Sequence, residues 1–119
     1  MLRIRVLLLA SILTLMAYTP VWASPFDKLL AESLEYLKEI PEIEWIKYDR
    51  ENVILGWKGI PGKFTSVNRR AAVKASKSTG HTVIIWSVRH FQKDYKVGRG
   101  TYICNTTADN GKVITSSCR

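Results

Sequence analysis

Nine residues, Gly56–Phe64 (GWKGIPGKF), hold three glycines, a proline, two lysines and a tryptophan. Upstream, NVILGWK (52–58) carries Val53, Leu55 and Trp57 at the two-residue period of a strand. Downstream, residues 65–79 show helical spacing, with Phe64, Val67, Ala71 and Ala75 on one side and Gly80 as the stop. The nine residues therefore join a strand to a helix, the context of a phosphate-binding loop. The spacing fails that motif twice. Phe64 follows Gly62-Lys63 where a serine or threonine is needed, and Trp57 stands where the first glycine belongs. Gly59, Pro61 and Gly62 are read instead as a corner that reverses the chain and sends the helix back across a sheet.

The rest of the chain fits around this corner. EIEWIKYD (42–49) reads as a strand with Ile43 and Trp45 on one face, and DREN (49–52) joins it to the next strand as a hairpin. Before them, Ser24 is placed to cap a helix, with Pro25 in its first turn and Asp27 three residues after the cap. Phe26, Leu30, Leu34 and Leu37 recur at helical spacing, Leu29 and Ile40 widen that face, and Pro41 ends it. HTVIIWSVRHF (81–91) is the strongest strand signal, rich in β-branched and aromatic residues. TYICNTT and KVITSSC form a last hairpin around Asn110-Gly111. The expected fold class is α+β, in the order α-β-β-α-β-β-β: a small antiparallel sheet of about five strands with two helices.

Residues 1–23 are read separately, as a cleaved signal peptide. Arg3 and Arg5 precede an apolar run from Val6 to Met16, and Val21 and Ala23 supply small residues at the −3 and −1 positions of a cleavage site between Ala23 and Ser24. The run is shorter than the roughly 20 residues of a membrane span, so no transmembrane anchor is expected. Residues 24–119 then form a single exported domain, periplasmic or secreted, its oligomeric state open. In that compartment Cys104 and Cys118 are expected to form a disulfide worth about 3 kcal/mol. A two-residue Asn110-Gly111 turn would set Cys104 opposite Ser117, so the bridge requires a bulge, another turn or a diagonal link.

Charge is the most informative compositional feature. Without the leader the chain has 16 basic and 10 acidic side chains. Residues 24–51 carry −4 and residues 52–119 carry +10, with no acid from Asn52 to Lys93. Arg70, Lys74 and Lys77 recur along the second helix with Arg69 further round, and Lys58 and Lys63 flank its start. Lys96 and Arg99, in the loop QKDYKVGRG, are read as extending this surface. The expected function is that of a non-enzymatic binding module of inhibitor or adaptor type, engaging an acidic protein or an anionic envelope polymer or lipid. Nucleic acid is a poor partner for an exported chain, and neither a cofactor nor a metal site is expected; a lone C-x13-C pair lacks metal-site spacing. The alternative is a small hydrolase using His90 with Asp94, or Glu42 with Glu44.

Overall fold

The computed structural model describes residues 24–59 and 64–119; Ala23 and Lys63, from the expected cleavage site and basic surface, lie outside the described residues. Helix α1 spans Pro25–Ser33 and is followed by a 3-10 helix, Glu35–Glu39. Strands β1 (Ile43–Asp49) and β2 (Asn52–Trp57) come next, then helix α2 (Phe64–Thr79), and strands β3 (Thr82–Arg89), β4 (Cys104–Asp109) and β5 (Lys112–Ser116). The α+β class and element order are those expected. One feature of the sheet is corrected: it is mixed, in the order β1-β2-β3-β4-β5, with β2 and β3 parallel and the other pairs antiparallel.

The parallel pair follows from counting reversals. The chain reverses once between β2 and α2, and again after α2 at Gly80, whose φ is 70°. Between them α2 runs about 24 Å, enough to return the chain alongside the roughly 20 Å of β2. Two reversals leave β3 pointing the same way as β2, whereas the single turns Arg50-Glu51 and Asn110-Gly111 give antiparallel hairpins.

Ser24 caps α1 as expected, its Oγ accepting from the Asp27 N–H at 3.1 Å. The predicted single helix to Ile40 tightens instead after Ser33, whose hydroxyl donates to the Leu30 carbonyl at 2.8 Å. Such back-bonding competes with helical continuation, and in a 3-10 turn residues three apart stack in a column. Leu34 and Leu37 are thereby both fully buried.

The main core lies on one face of the sheet, beneath both helices. Val53, Leu55, Trp57, Val83, Ile85 and Ala108 meet Leu30, Leu34 and Leu37 from the first helical segment and Ala71, Ala72 and Ala75 from α2. The alanines let α2 sit close to the strands. Asn68 and Ser76 share this buried side, so the inward stripe of α2 lies further round the helix than the apolar residues alone indicated. The Phe64 side chain lies outside the description.

A smaller cluster occupies the other face, where Ile54, Val88 and Tyr95 are joined by Trp45, Trp86 and Val97. Ile43 and Trp45 were expected on one face. A bulge between them moves Trp45 to the second cluster, directly over Gly56. A second bulge resolves the disulfide. Asp109 pairs with Lys112 and Ala108 with Val113, but Thr107 pairs with Thr115, leaving Ile114 as the extra residue. This one-residue shift carries through Asn105 and Ser117, joined by the Ser117 N–H at 2.9 Å, and brings Cys104 opposite Cys118 with their Cα atoms 4.9 Å apart.

Candidate functional site

The cationic side of α2 is set by its packing. With Asn68, Ala71, Ala72, Ala75 and Ser76 turned inward, Arg69, Arg70, Lys74 and Lys77 are all exposed, as is Lys58 beyond the end of β2. Lys74 is held in place by the first helical segment: its Nζ stands 4.5 Å from the centre of the Tyr36 ring, a cation–π contact. Burial pushes the Tyr36 hydroxyl above its usual pKa of 10.0, with the charge of Arg70 pulling the other way. Lys77 runs along the β4–β5 turn, where a Cβ added to Gly111 would meet the Lys77 Cβ at 3.4 Å. The Gly111 N–H donates to Ser76 Oγ at 2.9 Å and ties this turn to the helix.

The ion pairs among the described residues are Lys38–Glu35 at 3.1 Å and His90–Glu44 at 2.8 Å, neither of which involves α2. Among the described residues, the cations of this helix are therefore exposed without a carboxylate partner. Their positive charge is left to whatever approaches the face.

Lys96 and Arg99 do not extend this surface. They close a tight turn, with the Arg99 N–H donating to the Lys96 carbonyl at 2.9 Å. The turn follows Tyr95, which is buried against Ile54 and Val88 on the opposite face of the sheet. There they meet Lys47 and Tyr48 of β1 around a groove of 470 Å³. The α2 cations and the Lys96–Arg99 turn thus form two groups divided by the sheet. Lys47, Tyr48 and Tyr95 had not been singled out. A tyrosine inside an otherwise polar loop was the available signal, because such a residue packs when the loop folds back on a sheet.

The residues of the hydrolase alternative are also redistributed. The carboxylate on His90 Nδ1 is Glu44, not Asp94, and the His90 carbonyl accepts from Trp45 Nε1 at 2.7 Å. Asp94 lines a different hollow with Gln92, Lys96 and Arg99. His81 lies at the other end of β3, edge-on to Phe26. Among the described residues, no three histidines, cysteines or carboxylates are grouped to hold a metal ion, and no helix is long and apolar enough to cross a membrane.

No protein-family model, curated protein or solved structure matches this chain.

Proposed function

We propose that the mature chain is an exported, non-enzymatic binding module whose α2 face engages an anionic partner, of inhibitor or adaptor type when that partner is an acidic protein. The observation that carries this reading is the row Arg69, Arg70, Lys74 and Lys77, exposed and unpaired with any carboxylate among the described residues. Burying or pairing these charges at home would have been simple in a chain with eight acids in residues 24–51. They lie instead on a helix that carries no acid of its own. Its close packing through alanines and the Lys74–Tyr36 contact hold the cations on a rigid element, which reduces the ordering cost of binding.

The test is capture of envelope or culture-fluid components on the immobilised protein, followed by elution with rising salt. An electrostatic partner elutes at moderate salt, because screening shortens the reach of exposed charges to about 8 Å at physiological ionic strength. The triple variant Arg70→Glu, Lys74→Glu, Lys77→Glu loses that partner while keeping its circular dichroism. Retention by the triple variant would overturn the assignment. An acidic protein released only by denaturant identifies a shaped interface built around the same residues.

A further inference from the structure

On the opposite side of the sheet from α2, we infer that β1 is a docking edge: its outer rim and the adjoining groove take an extended acidic peptide of a partner, added as a sixth strand. β1 is an edge of the sheet. The direction of its backbone groups follows from bonds on either side of β2. The carbonyls of Glu51 and Trp57 accept from the N–H groups of Ile84 and His90, so odd-numbered positions here face β3. The Lys58 N–H donates to the Glu42 carbonyl, so even-numbered positions face β1. Opposite the even positions Gly56, Ile54 and Asn52 stand Trp45, Lys47 and Asp49. In an antiparallel ladder the intervening residues turn their N–H and C=O away, which points those of Ile46 and Tyr48 outward. Among the described residues, no backbone bond outside the ladders reaches either one.

The two edges of the sheet differ. β5 has five residues, is interrupted by the Ile114 bulge, and is followed at once by the disulfide. Bulges and short strands blunt an edge against pairing. β1 is regular from Trp45 to Asp49. Beside it lies the 470 Å³ groove, with Ile54 and Tyr95 in its lining and three cations, Lys47, Lys96 and Arg99, against one carboxylate, Asp49. Lys47 is anchored there by donation from its Nζ to the Lys93 carbonyl. Along an added strand, alternate side chains point to the groove side, where acidic residues would meet these cations. The others would lie beside Ile46 and the partly exposed Tyr48. Main-chain bonds then supply affinity and the alternating charges supply selectivity, as in strand addition generally.

The probe is the peptide acetyl-Thr-Glu-Val-Glu-Thr-Glu-Val-amide, titrated into the 15N-labelled protein expressed from its full sequence. The expected result is chemical-shift change and slowed exchange at the Ile46 and Tyr48 amides. Substituting Lys for every Glu in the peptide weakens binding about ten-fold or more, and N-methylation of alternate residues in one of the two phases abolishes it. Lys96→Glu with Arg99→Glu weakens it similarly, while Arg70→Glu with Lys74→Glu does not, which separates this edge from the α2 surface. Equal affinity for the two peptides, or shift changes elsewhere with none at Ile46 and Tyr48, would overturn the proposal. So would amide protection at β1 that grows with protein concentration in the absence of peptide, since the occupant would then be a second copy. Because the peptide variants leave the protein untouched, the test survives any failure of the protein variants to fold.

Discussion

Asn68 sits on α2 with no solvent exposure, and its amide organises a buried polar chain through the main core. Trp57 Nε1 donates to Ser87 Oγ at 2.8 Å, and that hydroxyl donates to Asn68 Oδ1 at 2.6 Å. Asn68 Nδ2 reaches the Ile85 carbonyl at 3.3 Å and contacts Cys104 Sγ at 3.9 Å. One side chain thus links α2 to β3 and to the disulfide. Replacing it by alanine leaves the Ser87 hydroxyl without its acceptor, at a cost of about 1–3 kcal/mol; urea unfolding of Asn68→Ala measures it, and an unchanged midpoint would remove the network from any structural role. Gly56 shows a different constraint. A Cβ there would fall 2.1 Å from the Trp45 ring, which is pinned by its bond to the His90 carbonyl. Gly56→Ala is expected to displace the indole and cost about 1–3 kcal/mol, read as a shift in tryptophan emission together with a lower unfolding midpoint.

Among the elements, β5 illustrates how a ladder accommodates a covalent demand. Its extra residue, Ile114, is 58% exposed and makes the pairing of Cys104 with Cys118 compatible with a two-residue turn. Deleting Ile114 removes the bulge but leaves Ala108 opposite Val113 and Thr107 opposite Thr115, now as consecutive pairs. The deletion variant is therefore expected to form the same disulfide, with no free thiol on titration in denaturant and a melting shift within about 5 °C. Two free thiols would show that the bulge itself aligns the cysteines. The parallel β2–β3 pair was hidden in the sequence for a related reason. Strand periodicity reports which side chains share a face and is silent on direction; direction depends on how many corners the chain turns between strands.

For the molecule as a whole, three tyrosines contribute to the behaviour at alkaline pH. Burial is the first cause raising the pKa of Tyr36, Tyr48 and Tyr95 above 10.0, aided at Tyr48 by the charge of Glu35 and at Tyr95 by Tyr102. An unfolded tyrosine loses its proton near the ordinary value while the folded one retains it. The unfolded state then binds fewer protons, so stability falls as pH rises through and beyond 10.0. Thermal unfolding followed from pH 8 to 11 should show this decline, and Tyr36→Phe should flatten it by removing a titrating hydroxyl that is buried with no hydrogen-bond partner among the described residues. A pH-independent midpoint would contradict the raised pKa values of these tyrosines. At the same scale, charge is divided by the sheet, with α2 presenting its cations on one side and Lys96 and Arg99 on the other.

Local chemistry was enough to locate most elements, because each rests on neighbours in sequence: the Ser24 cap, the alternation through Val53, Leu55 and Trp57, the β-branched run of β3 and the Asn110-Gly111 turn. Exposure of the α2 cations was legible for the same reason, since helical spacing separates them from the alanines. Contacts between distant residues were not legible. The bulges at Glu44 and Ile114, the pairing of His90 with Glu44 in place of Asp94, and the position of Lys96 and Arg99 across the sheet from α2 depend on how strands align and where a loop folds back. A one-residue shift in register turns a side chain to the opposite face. Composition and periodicity carry no record of that shift, and only the packed sheet decides it.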